Sequence, residues 1–296
     1  VRNFKQGKML DTVKNISRSI LRERQADGVL GLTRQKSTTL EEGMDIIQPH
    51  VFADPGELDD LVIEPKWLFA KLAMTILRSS PESYRLAVIC RGCDERAVIE
   101  LIKRNQIEKD RIATVGIACS QEQASVCLCQ RPYPEKLDAG VAAEGVDPFQ
   151  DGQIRELLMG DDGTRMEKWA KLLKRCIKCY GCRNSCPICV CIPCKLEDEV
   201  WVDTGSIPAG MIPYHLIRAF HLSDTCVACG ACQEACPVHI PLLALQLSMR
   251  EILRKNFGYE AGIDPERKSP VLFDFSQEPS PERELPAWID SLKAKI

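Results

Sequence analysis

Cys176-Ile-Lys-Cys179-Tyr-Gly-Cys182-Arg-Asn-Ser-Cys186-Pro187 and Cys226-Val-Ala-Cys229-Gly-Ala-Cys232-Gln-Glu-Ala-Cys236-Pro237 repeat one spacing, C-x2-C-x2-C-x3-C-P, twice in the second half of the chain. Three thiolates carried on a tight loop can wrap three corners of an iron–sulfur cubane. The fourth, placed where a helix opens, faces away toward a second cubane. The spacing therefore predicts two [4Fe-4S] clusters with crossed ligation: Cys176, Cys179, Cys182 and Cys236 on one, Cys226, Cys229, Cys232 and Cys186 on the other. Zinc knuckles would want two C-x2-C pairs per ion rather than two copies of three plus one. Small residues at Gly181, Ala228, Gly230 and Ala231 let backbone N–H groups approach the sulfurs.

The rest of the composition agrees with a reduced, metal-binding chain. It has 296 residues, 16 of them Cys, and 45% are hydrophobic, enough for two packed domains. Lysine and arginine total 39 against 42 acidic residues, with no basic stripe interleaved with aromatics, so no nucleic-acid partner is expected. No apolar run approaches the about 20 residues that span a bilayer, and Val1 to Gly31 lacks a signal-peptide core. A soluble cytoplasmic protein with no membrane span is expected. Thiols stay reduced there, which favours metal binding over disulfides.

Outward from the two runs, Met166, Trp169, Leu172 and Leu173 mark a helix leading into the first, and Ile212 to His221 another in the connector. Leu242 to Leu253 form a helix after the second run, stopped near Gly258. Upstream, helical patterns at Lys8 to Arg24, Lys66 to Arg78 and Asp94 to Lys103 alternate with strands at Gly28 to Thr33, Leu86 to Cys90 and Ile112 to Ile117. This order predicts an α/β N-terminal domain with a small, mostly parallel sheet over residues 1–135. A Pro- and Gly-rich linker at 136–154, an all-α dicluster ferredoxin domain at 155–262 and an extended tail at 263–296 follow.

Eight further cysteines stand outside the two runs. Cys90-x2-Cys93 sits where a strand turns into a helix, Cys119 closes the next strand at the same sheet edge, and Cys127-x-Cys129 follows in a short loop. The spacing permits a third [4Fe-4S] cluster on Cys90, Cys93, Cys119 and one of Cys127 or Cys129 without imposing it, since free Cys is also a common buried hydrophobe. Cys189, Cys191 and Cys194 would need a fourth ligand for yet another cluster, which Cys127 or Cys129 could supply if the domains packed face to face. His215, His221 and His239 read as neighbours of the iron rather than ligands. Lys171, Lys174, Arg175, Lys178 and Arg183 form a basic patch that offsets cluster charge or docks a partner.

Residues 170 to about 260 resemble dicluster ferredoxins, and the long connector between the runs resembles the α-helical type found in heterodisulfide reductase small subunits and succinate dehydrogenase iron–sulfur subunits. Asp27-Gly-Val-Leu-Gly-Leu-Thr33, Trp67 to Leu77, Leu86 to Ala97 and Val115-Gly-Ile-Ala-Cys119 resemble the N-terminal domain of the coenzyme F420 hydrogenase/formate dehydrogenase β-subunit family, with Cys93 and Cys119 at its cysteine positions. That resemblance implies FAD, for which the sequence has no independent G-x-G-x-x-G fingerprint. No nucleophile–base pair, P-loop or H-E-x-x-H is present. The expected role is an electron-transfer subunit of a multi-subunit oxidoreductase of formate dehydrogenase, hydrogenase or heterodisulfide reductase type. Its partners would be flavin-, molybdenum/tungsten- or hydrogenase-type subunits. The alternative is a flavin-containing subunit that reduces a nicotinamide or deazaflavin.

Overall fold

The computed structural model describes residues 2–36, 45–197 and 211–271. Most of the sequence-predicted tail therefore lies outside the described residues, as does the middle of the connector between the two cysteine runs. The first half is built on strands β1 (Gly28–Lys36), β2 (Asp45–Phe52), β3 (Leu61–Val62), β4 (Leu86–Cys90) and β5 (Ile112–Gly116), in the order β2-β1-β4-β5, with β3 also pairing β1. β1 runs parallel to β4 and β4 to β5, but β2 and β3 lie antiparallel to β1, with Val29 opposite Phe52 and Leu32 opposite Val62.

The sheet is thus mixed rather than mostly parallel. Pro49 and the polar Gln48 and His50 break any alternating signal in β2, and a proline is tolerated there because the strand is at the sheet edge. β4, Leu-Ala-Val-Ile-Cys, is buried throughout, as a central parallel strand should be.

Successive side chains of a strand face opposite ways, and each face finds its own cover. Val29, Ala87, Ile89 and Val115 pack against Val13 and Ile20 of helix α1 (Arg2–Arg22). Leu30, Leu32, Leu86, Val88 and Cys90 pack against α2 (Ala70–Ser79) and α3 (Gly92–Lys103). The buried Asp94 carboxylate of α3 accepts the N–H groups of Phe69 and Ala70 at 2.8 to 3.0 Å, capping α2 from its neighbour.

The stretch after β5 carries α4 (Gln121–Val126), opened by a capping box of Ser120 and Gln123. Residues 131–135, and 136–139 at the start of the stretch read from sequence as a linker, lie against the sheet edge. Cys119 N–H donates to Pro132 O at 2.8 Å, Ile117 bridges Ala139, and Glu135 N–H donates to the Glu95 carboxylate at 2.6 Å. A Cβ on Gly92 would overlap the Tyr133 carbonyl, so the approach of this strip to α3 requires glycine there.

The described elements of the second half are helices: α5 (Gly152–Leu158), α6 (Asp162–Leu173), α7 (Gly181–Asn184), α8 (Met211–His221), α9 (Ala231–Glu234) and α10 (Leu242–Phe257). Trp169, Leu173, Tyr214, Ile240, Leu243 and Leu247 form their core together with Cys182, Cys232 and Cys236.

The halves share packing. Ile188, Leu222 and Val227 join the core beneath α2 and α3. A buried polar latch reinforces the contact: the Glu100 carboxylate accepts from Lys103, Arg104 and Gly262 N–H at 2.7 to 3.1 Å. Arg104 reaches on to Asp224 at 2.7 Å, two residues before Cys226. Among the described residues no helix is long and apolar enough to cross a membrane.

Candidate iron–sulfur sites

The two runs fold alike. In each, residues flanking the second cysteine adopt left-handed backbone: Lys178 and Tyr180 at φ 60° and 55°, Ala228 and Gly230 at 53° and 80°. Alternating hand in this way turns successive N–H groups to one side, the geometry of an anion-binding nest. The N–H groups of Lys178 and Ala228 point at Cys176 and Cys226, and Ile240 N–H lies 3.4 Å from Cys236 Sγ. The short helices α7 and α9 meet, with Ser185 Oγ donating to Ala231 O at 3.1 Å.

That meeting exchanges the fourth cysteines. Cys176, Cys179, Cys182 and Cys236 line one cavity of about 330 Å³ with Tyr214 and His215. Cys186, Cys226, Cys229 and Cys232 line a second of about 360 Å³ with Arg218. A third cavity of comparable size, about 300 Å³, is lined by Cys93, Cys119, Cys127 and Cys129, together with Lys66, Gln123 and Cys229. Among the described residues no three His, Cys, Asp or Glu side chains converge as on a single metal ion; the cysteines stand apart around these cavities.

The third cavity is assembled from local pieces. Cys93 sits in the first turn of α3, Cys119 follows β5, and Cys127 caps the end of α4. Leu128, at φ 48°, then turns the chain so that Cys129 faces back. Cys90 is not brought there: the pleat of β4 places it, fully buried, in the core under α2 and α3. Nor does the structure gather Cys189, Cys191 and Cys194 with Cys127 or Cys129. Cys189 lies against Cys186, Cys194 packs beside the helical core, and Cys191 is exposed.

Burial pushes the thiols of Cys93 and Cys232 up to about 12, and those of Cys226 and Cys229 upward as well. Such buried sulfurs carry negative charge only beside a cation, which is what bound iron supplies. The hydrogen bond from Cys189 draws Cys186 the other way, below the usual thiol range. His215, desolvated and beside Arg218, is held down to about 4 and is neutral at physiological pH.

Several cations close the sites that reading the cysteines alone did not reveal. Lys66 Nζ lies 3.3 Å from Cys127 Sγ, 2.8 Å from Cys229 O and 3.2 Å from Glu234, and so spans the second and third cavities. Arg91, paired with Glu64 at 2.9 Å, faces Cys119, and Arg250 donates to Cys226 O. Only Arg218 had a signal in the sequence, as the residue one turn beyond Tyr214 on the apolar face of α8.

The 4Fe-4S binding domain family matches residues 221–241, the second run, and the first run repeats its cysteine spacing position for position. The chain is therefore a 4Fe-4S iron–sulfur protein. Its similarity extends to the F420-dependent formate dehydrogenase subunit beta of Methanocaldococcus jannaschii, 41% identical over 112 residues, which are 38% of this chain and 29% of the relative. The F420-dependent formate dehydrogenase 1 subunit beta of Methanococcus maripaludis is 43% identical over 135 residues, 46% of this chain and 35% of the relative. Lactate utilization protein B of Bacillus cereus is 28% identical over 170 residues, 51% of this chain and 34% of the relative. The chain thus spans about a third of the length of these relatives.

Proposed function

We propose that the chain is an electron-transfer subunit of a cytoplasmic oxidoreductase complex of formate dehydrogenase, hydrogenase or heterodisulfide reductase type. In this reading residues 155–262 form an α-helical dicluster ferredoxin domain. Cys176, Cys179, Cys182 and Cys236 hold one [4Fe-4S] cluster, and Cys226, Cys229, Cys232 and Cys186 hold the other. A third belongs to Cys93, Cys119, Cys127 and Cys129 in the α/β half. The exchange of Cys186 and Cys236 between cavities carries this reading. Such clusters take up and return single electrons without making or breaking a covalent bond in a substrate.

The protein's own residues set the conditions. Cys229 and Lys66 stand between the second and third cavities, and Cys182 in α7 and Cys186 just past its cap line the first and second, so the three cysteine groups form a row. Ile188, Leu222 and Val227 exclude water from the middle of it. Partners carrying a flavin, molybdenum/tungsten or hydrogenase centre would donate to or accept from its ends.

The flavin-bearing alternative has one cleft in its favour, lined by Leu32, Ile63, Trp67, Phe69, Ile89 and Arg91 near the carboxyl ends of β4 and β5.

Anaerobic reconstitution with iron and sulfide quantification, EPR of the reduced protein and a flavin assay on one sample test the proposal. About twelve irons per chain and no flavin are expected, four irons for each cubane. About four irons, or stoichiometric flavin, would overturn it.

A further inference from the structure

Arg218 is in the last turn of α8 and only 3% exposed. A guanidinium taken out of water needs an anion in place of its lost hydration. Other buried cations have theirs: Arg91 pairs with Glu64, Lys103 with Glu100, and Arg104 with both Glu100 and Asp224, while the buried Arg96 rests on the Arg131 carbonyl. Among the described residues no carboxylate pairs with Arg218. Its Nη2 donates to Cys182 O at 2.9 Å and lies 3.6 Å from Cys189 Sγ, and its buried Nε has no partner among the described residues.

The vacant side of this guanidinium faces sulfur. Arg218 lines the Cys186, Cys226, Cys229 and Cys232 cavity, while Cys182, whose carbonyl it holds, belongs to the neighbouring one. One turn earlier on the helix, the Tyr214 hydroxyl and both His215 ring nitrogens are also buried without partners among the described residues, and both residues line that neighbouring cavity. α8 therefore presents one cation and two neutral polar groups to the cysteine pair. The other cations near the second cavity, Lys66 and Arg250, reach it through backbone carbonyls of Cys229 and Cys226.

The geometry points to Arg218 as the fixed counter-charge of the cluster pair: a positioning residue at the seam between the two cysteine cavities that stabilises the thiolate ligands and favours reduction at the second-run site. The inference rests on the crossed dicluster reading above. Reduction adds one electron and hence one negative charge there, with no bond formed or broken. A cation held in place by packing stabilises the more negative state.

Arg218→Gln and Arg218→Lys in the full chain, reconstituted anaerobically, provide the test by EPR-monitored redox titration and iron content. Arg218→Gln should shift the reduction equilibrium of the second-run cluster at least tenfold toward the oxidised form, about 59 mV for a one-electron couple. Arg218→Lys should restore it to within a few-fold. If the Gln variant instead loses iron, the Lys variant must retain it. Unchanged potentials at full iron content in Arg218→Gln overturn the inference, as does equal iron loss in both variants, which would show that shape rather than charge matters. Failure of the dicluster reading itself would be recognised separately, because the unsubstituted chain would then lack two interacting cluster signals.

Discussion

The two cysteine runs have the same spacing and the same alternation of backbone hand, yet they occupy different surroundings. The first has an exposed Cys179 and sets Cys176 and Cys182 against the helical core, with only its exchanged Cys186 reaching the core under α2 and α3. In the second, Cys226, Cys229 and Val227 pack into the core of the α/β sheet, with Lys66, Arg218 and Arg250 around them. Spacing decides what a run can bind, whereas packing decides the charge, dryness and neighbours of what is bound.

The largest effect that tests this comparison is removal of an exchanged ligand. Cys186→Ala should abolish the cluster of the second run and Cys236→Ala that of the first, each with loss of about four irons and of one EPR signal. Loss of the cluster nearer in sequence would show that the runs are independent. Next is the latch, which touches only the second run. Glu100→Ala leaves Lys103 without its buried carboxylate and Arg104 with Asp224 alone, and should cost about 3 to 5 kcal/mol in denaturant unfolding. Iron should then leave the second run for a chelator faster than it leaves the first.

Smaller still, Gly230→Ala puts a side chain at φ 80°, where left-handed backbone costs about 1 to 2 kcal/mol, and the loss should appear as a lower melting temperature of the loaded protein. Tyr180 already bears that strain in the first run, where its ring packs edge-on against Tyr214 at 5.7 Å. The smallest expected effect is that of Lys66→Met. It removes the cation between the second and third cavities and should alter their EPR signals while leaving that of the first run untouched.

Much of this organisation was legible in the residues. β4 and β5 are short apolar runs bounded by turns, and the helix at 211–221 follows from its spacing of apolar residues. β2 was hidden because an edge strand containing Pro49 carries no period of two. For the third site, C-x2-C spacing cannot distinguish Cys90 from Cys93. One belongs to a strand and the other to a helix, and only the direction of the pleat sends Cys90 into the core. Lys66 could not be found at all from local pattern, since its partners Cys127, Cys229 and Glu234 are distant in sequence.

The shared core under α2 and α3 has a consequence for the fate of the damaged protein. Leu222 and Val227 flank Cys226 and also cover the sheet, so loss of iron from that run leaves the neighbouring half without part of its apolar cover. Chemical injury to a redox centre is thereby converted into local unfolding, the form in which a chain becomes a substrate for proteases. Oxygen exposure should mark the molecule for disposal through its packing, with the first cleavages of a limited digest falling between the two halves.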